Sequence, residues 1–209
     1  MADSTLNLTP EAIPEAKSQA TGATVRYEPD PDKRWYVFRA SYGRVDKAAD
    51  LLTADGTYTY IAKRYAWKYL RGKRCRVLEV LIPNLIFAYT TAEQAETYVK
   101  RTPELSFLTY YYNHFEQDEE KKNPPLIVPE GEMQNFILAT VSMNEHIMFV
   151  QPEQVHYKSG ERVKVVDGVF RGVEGKVARV AGQQRVIVTL SKVGLISTAY
   201  IPTAFIEKM

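Results

Sequence analysis

Cys75 is the only cysteine in this 209-residue chain. One thiol closes no internal disulfide and builds no multi-cysteine metal cluster, and its scarcity fits a reducing compartment. Histidine is nearly as rare: His114, His146 and His156 are the three present, at spacings that form no metal-ligand motif. Long apolar runs are missing too. The longest, Val80-Leu-Ile-Pro-Asn-Leu-Ile-Phe-Ala88, is interrupted by Pro83-Asn84 and falls well short of the roughly 20 residues a membrane helix needs. The N-terminus lacks the basic and then apolar pattern of a secretory signal. Neither a Ser-His-Asp arrangement nor a pair of acid–base carboxylates is legible. These absences predict a soluble, cytoplasmic protein that needs no metal or cofactor and is not an enzyme.

What is present is charge, unevenly distributed. The net charge is only +2. Residues 1–33 carry three basic and six acidic groups, and residues 34–100 carry twelve and six. Residues 101–159 carry four and nine, and residues 160–209 eight and four. Two basic blocks separated by an acidic one point to a polyanion bound on one face. The strongest concentration is Lys63-Arg-Tyr-Ala-Trp-Lys-Tyr-Leu-Arg-Gly-Lys-Arg-Cys-Arg76, with seven basic residues, no acid, and Tyr65, Trp67 and Tyr69 interleaved. Cations neutralise phosphate and aromatic rings stack on exposed bases, so this stretch is a candidate nucleic-acid contact. A solvated hairpin with basic tips is an equally open reading of the same residues.

Hydrophobic periodicity divides the chain. Residues 1–32, with Pro10, Pro14, Pro29 and Pro31, read as a poorly ordered leader. Strands are predicted at 34–42, 57–61, 85–90 and 106–112, with a hairpin over 64–80 turning at Arg71-Gly72-Lys73. Helices are predicted at 44–54, 92–100 and 130–141, the second opened by a capping box of Thr91 and Gln94. The expected fold class is α+β, with helices covering a mostly antiparallel sheet over residues 33–146. Asn113–Pro125 is a polar loop, and its acids, including Glu116, Asp118, Glu119 and Glu120, read as solvated. Residues 147–159 read as a linker. Residues 160–209 hold about five short alternating strands, the pattern of a small β-barrel. Their valine content argues against a helical alternative.

Within that last region Gly168, Gly172 and Gly175 match neither a dinucleotide fingerprint nor a P-loop, because the spacing is wrong and no helix follows. Between strands, glycine serves a left-handed turn or a close backbone approach. The stretch 161–177, "ERVKVVDGVFRGVEGKV", resembles the KOW motif that opens SH3-like barrels, with Gly168, Phe170, Arg171, Gly172 and Gly175 in its loop. A plain glycine corner fits it as well. Arg34-Trp-Tyr-Val37, the basic hairpin and Ile82-Pro-Asn-Leu-Ile-Phe87 resemble the N-terminal domain of NusG-type transcription elongation factors. The resemblance covers about residues 33–209. "RWYVFRASYGRVDKAADLL", "IPNLIFAYTT", "PLIVPEGEMQNFI" and "TAYIPTAFIEKM" are similar to the UpxY-type paralogues of Bacteroides-like bacteria, which regulate capsular polysaccharide operons. Pro83-Asn84-Leu85 departs from the Pro-Gly-Tyr usual in NusG itself, which favours a specialised paralogue.

The resemblance implies an operon-specific antitermination factor that rides on RNA polymerase. Ile82, Leu85 and Phe87 would lie near a patch gripping the β′ clamp helices, with Trp35 structural. Thr90 and Thr91 would meet the β gate loop, although helix capping is the plainer role for Thr91. Arg39, Tyr42, Arg44 and Lys47, beside the first helix, would touch the non-template DNA strand. Lys63, Arg64, Lys68, Arg71, Lys73 and Arg74 would contact nucleic acid through the hairpin. The KOW domain would recruit a second protein partner. A housekeeping NusG coupling polymerase to Rho or the ribosome, and a ribosome-associated KOW RNA-binding protein, remain as alternatives.

Overall fold

β1 (Arg34–Ala40) runs through the centre of the N-terminal sheet. The structure, a computed structural model, describes residues 27–117 and 119–209, without the side chains of 158–160. The expected leader up to residue 26, and Asp118 of the acidic loop, lie outside the described residues. After β1 come α1 (Val45–Ala54), β2 (Tyr58–Tyr60), β3 (Lys63–Leu70), β4 (Lys73–Val80), β5 (Leu85–Thr90) and α2 (Ala92–Lys100). β6 (Leu108–Tyr110), β7 (Ile127–Val128) and α3 (Glu130–Thr140) complete the first half. The sheet order is β2-β5-β1-β6, with β7 also on β1, and every pairing is antiparallel. The fold is α+β, as the periodicity predicts.

Alternation along β1 and β5 sorts their side chains onto two faces. Tyr36, Phe38, Ala40, Ile86 and Ala88 pack with Val45, Ala48 and Leu52 of α1 and Ala95 and Tyr98 of α2. Trp35, Val37, Leu85, Phe87 and Tyr89 belong to the opposite core, with Met133, Phe136 and Ile137 of α3. All six residues of β5 are buried because both of its faces are covered.

Residues 27–32 are not loose. Tyr27 packs edge-on against Trp35 at 5.3 Å and lies 4.5 Å from the Tyr89 ring. The Asp30 amide donates to the Tyr89 hydroxyl at 2.8 Å, and that hydroxyl donates to the Asp30 carbonyl at 3.0 Å. The expected leader boundary at residue 32 is therefore too late. The aromatic partners that hold this segment lie far along the chain, beyond the reach of a local reading.

The second half is a meander: β8 (Met148–Val150), β9 (His156–Val165), β10 (Glu174–Val180), β11 (Gln183–Leu190), β12 (Gly194–Tyr200) and β13 (Ile206–Lys208). The order is β13-β9-β10-β11-β12-β8, and β13 returns through a 3-10 turn to pair with β9. The stretch expected as a linker, 147–159, is mostly structural. β8 pairs with β12, and β9 already begins at His156. Register shifts between Lys176 and Ala178 and between Arg185 and Ile187 bend the strands. Gly172 sits at φ +92°, a left-handed conformation that disfavours a side chain. Gly175 answers to a different need: a Cβ there would lie 2.3 Å from the Ile187 carbonyl oxygen.

α3 joins the halves. Phe136 meets Phe87 at 5.3 Å on the sheet side, while the helix also packs on β11 and β12. Asn135 acts like a strand edge: its Nδ2 donates to the Glu174 carbonyl at 2.6 Å and its Oδ1 accepts from the Glu174 amide at 2.8 Å. Glu132 accepts from the Ser191 amide and hydroxyl, each at 2.7 Å. Gly175→Ala is expected to lower unfolding stability by about 1–3 kcal/mol through overpacking. Denaturant unfolding checks this; a loss within error would mean that β10 and β11 can part without cost.

Candidate nucleic-acid interface

β3 and β4 form a two-stranded sheet of their own, paired from Lys63↔Val80 to Leu70↔Lys73 around an Arg71-Gly72 turn. Gly72 has φ +78° and Arg71 φ +50°, the left-handed pair that suits a tight hairpin turn. At its base the hairpin is tied down by the Tyr65 amide donating to Met143 O and by Arg64 Nη1 donating to Ile147 O.

The register separates the basic residues into two groups. Arg64, Lys68 and Glu79 share one face, where Glu79 pairs with Arg64 at 3.0 Å and Lys68 at 2.7 Å. The Lys68 hydrogen bond, followed by that from Arg64, holds the Glu79 carboxyl below its ordinary value against the opposing effect of burial. Lys63 pairs with Asp46 on α1 at 2.6 Å. Three of the six expected hairpin cations are thus neutralised. The other three, Arg71, Lys73 and Arg74, together with Arg76, are exposed and have no carboxylate partner among the described residues. Arg76 completes the set through its register opposite Trp67, which composition alone does not give.

A second cluster lies at the start of α1. Tyr42 is 86% exposed at φ +60°, a strained setting for a bulky residue that costs about 1–3 kcal/mol. The Arg44 guanidinium lies 5.2 Å from the Tyr42 ring centre and 4.9 Å from that of Phe107, with Lys47 5.5 Å from the latter. Arg39 is exposed, on a strand whose other residues apart from Arg34 are buried. The four residues expected at this surface are therefore all solvent-facing.

The apolar patch is different. Ile82, Leu85 and Phe87 are exposed by only 6%, 6% and 1% and belong to the core shared with α3. In this conformation they are packing residues, the commoner role of apolar strand residues. Trp35, at 1%, is core as expected. Thr90 is buried and Thr91 is the α2 cap, accepting from the Gln94 amide at 3.2 Å. The expected capping box is only half formed, because the Gln94 side chain donates to Asp55 at 2.7 Å instead. Asp55 also accepts from the Tyr98 hydroxyl at 2.8 Å, and these two bonds lower its pKa. In the barrel loop Phe170 is core, whereas Val169, at 68%, and Arg171 are exposed. Gly168 and Gly172 both take positive φ.

Among the described residues no group of three or more His, Cys, Asp or Glu side chains is placed to hold a metal, and no helix is long and apolar enough to cross a membrane. A family model described as "Transcription termination factor nusG" matches residues 33–137, just over half of the chain. The chain belongs to the NusG family. It is accordingly a transcription elongation or termination factor from a family of non-enzymatic proteins that bind RNA polymerase. No curated protein matches it.

Glu79, with its lowered pKa, stabilises the fold above its ordinary value of 4.5, and the contribution is lost as pH falls below that value. Glu79→Gln is expected to flatten the acid limb of the stability profile by about 0.5–1 kcal/mol, a small effect because the group is partly solvated. Denaturant unfolding between neutral and acid pH measures it; an unchanged limb would mean that the cations do not hold this carboxylate.

Proposed function

We propose that the chain is a specialised NusG-family factor of the UpxY type: a cytoplasmic, operon-specific antitermination and elongation factor. It binds polymerase at the β′ clamp helices, reaches the β gate loop through Thr91, and suppresses pausing or premature termination in a capsular or exopolysaccharide operon. No bond is made or broken. The factor binds the elongating state more tightly than the paused one and so shifts the population toward it. Arg39, Tyr42, Arg44 and Lys47 face the non-template strand, and the hairpin cations face nearby phosphates. The domain at 160–209 is read as a KOW module that offers Val169 and Arg171 to a second protein.

The observation that carries this reading is the hairpin on a NusG-family domain, whose Arg71, Lys73, Arg74 and Arg76 have no carboxylate partner among the described residues. Protein interiors and ion pairs do not need such a surface; a polyanion does. Burial of Ile82, Leu85 and Phe87 adds a condition. Clamp-helix contact through them requires their cover to yield, and the Asn135–Glu174 and Glu132–Ser191 bonds that fix α3 against the barrel oppose that. The family description favours a second reading, a housekeeping factor that promotes termination with Rho.

Transcription by purified polymerase through the cognate leader tests the proposal. Read-through is expected to rise with the full chain, and Arg71→Ala/Lys73→Ala to reduce the effect at moderate salt. Unchanged read-through would sink the antitermination reading, and increased Rho-dependent termination would replace it with the second. Polymerase pull-down with Glu132→Ala/Asn135→Ala is expected to recover several-fold more factor than wild type, by mass action on a loosened cover. Equal recovery would mean that the α3–barrel contact does not control access.

A further inference from the structure

We infer that one face of the β3–β4 hairpin is a stacking ladder for an unpaired nucleic-acid strand. This deepens the reading of the hairpin as a nucleic-acid contact and rests on it. Residues directly opposite in an antiparallel pair share a face. The pairs Tyr65↔Leu78, Trp67↔Arg76 and Tyr69↔Arg74 therefore put three aromatic rings and two guanidinium groups on one side. Arg64, Lys68, Cys75 and Glu79 fall on the other.

The arginines do not sit over their direct partners. Arg76, opposite Trp67, places its guanidinium carbon 3.9 Å from the Tyr65 ring centre. Arg74, opposite Tyr69, places its own 4.4 Å from the Trp67 ring centre. Each arginine leans one step diagonally toward the hairpin base. The resulting sequence of groups is Tyr65, Arg76, Trp67, Arg74, Tyr69, ending on a ring without an arginine over it. Trp67 is 49% exposed, Tyr69 78% and Leu78 45%. An apolar surface this open on a soluble hairpin marks an interaction site.

Its chemistry selects the occupant. Aromatic and guanidinium planes both accept nucleobases by stacking, and a cation beside each ring suits a phosphate-linked chain. Bases of a duplex are stacked on one another and offer no ring face, so an unpaired strand is what the ladder fits. Residues two apart on a strand lie about 6.7 Å apart, twice the roughly 3.4 Å rise of a stacked strand. A stretched single strand would thus leave one gap between successive bases for each protein plane. The face carries no Asn, Gln, Ser or Thr, and its two guanidinium groups lie over rings, so binding rests on stacking and tolerates sequence. Stacking engages the base and not the 2′-hydroxyl by which RNA is told from DNA. Single-stranded DNA and RNA are expected to bind alike.

The test is fluorescence anisotropy of the full chain without polymerase. The probes are labelled oligothymidine and oligouridine of about 12 nucleotides, within the usual site size, and a duplex of equal length. The two single strands are expected to bind within about threefold of each other, and the duplex about tenfold more weakly. Trp67→Ala/Tyr69→Ala should weaken single-strand binding by about tenfold or more. Because no cation is removed, the slope of log affinity against log salt should not change. Arg74→Lys/Arg76→Lys should weaken it in the same direction with charge preserved. Both variants alter exposed hairpin positions, so their thermal midpoints should match wild type. Wild-type single-strand affinity in a folded Trp67→Ala/Tyr69→Ala chain would overturn the ladder. So would tighter duplex binding lost in Arg71→Ala/Lys73→Ala, which would leave the hairpin a phosphate contact and the broader nucleic-acid reading intact. A preference above about tenfold for one sugar would overturn sugar-indifferent stacking. No binding to any oligonucleotide at low salt would overturn both readings.

Discussion

Burial of α3 on both sides is the constraint from which the rest of the molecule follows. Phe136 faces Phe87 and Tyr60, while Asn135 completes a pair of backbone hydrogen bonds to Glu174 on the other side. Met133, Phe136 and Ile137 supply the apolar contacts of α3, while the polar Glu132 and Asn135 are used as anchors to the second half. The helix turns a sheet with helices on one face into a stack of helices, sheet, helix and barrel sharing a continuous core. The polar ends of that stack are satisfied individually. Glu132 takes both Ser191 donors, and the Tyr60 hydroxyl sits 2.5 Å from Thr140, whose Oγ donates in turn to Phe136 O. Buried polar groups left without such partners would cost about as much as the packing gains.

The hairpin is the counterpart of that packed centre. It is anchored at its base by Arg64 and Tyr65, and its distal half contributes little to either core. Register puts Arg64 and Lys68 on the face of Glu79, which pairs with both, and leaves the rings with Arg74 and Arg76 on the opposite face. Positive charge concentrated on a projecting element attracts a polyanion without disturbing the core. The cluster of Tyr42, Arg44 and Lys47 repeats the combination of ring and cation at the start of α1, and there the exposed Tyr42 carries backbone strain that packing alone would not select.

Much of this was legible in the chain. Alternation and periodicity placed β5, α2 and α3 within a residue of where they lie, because these elements carry strong local patterns. The spacing of Gly168, Gly172 and Gly175 excluded a phosphate loop and pointed to a sheet corner, and the positive φ of two and the backbone crowding at the third explain it. The seven cations and three rings of 63–76 were visible as composition. Which cations stay unpaired was not, because Glu79 and Asp46 neutralise Lys68, Arg64 and Lys63 across strands and between elements.

Ile82, Leu85 and Phe87 mark the boundary between the two kinds of knowledge. An apolar strand residue reads the same whether it faces a partner or a helix of its own chain, and only the position of α3 makes these three core. The same holds for residues 27–32 and 147–159, whose partners, Tyr89 and β12, are distant in sequence. The sequence by itself determined the elements, the barrel's glycine corner and the concentration of charge, since each depends on neighbours a few residues away. Tertiary structure alone decided which faces are covered and which cations remain available, since burial and ion pairing depend on contacts that no local pattern encodes.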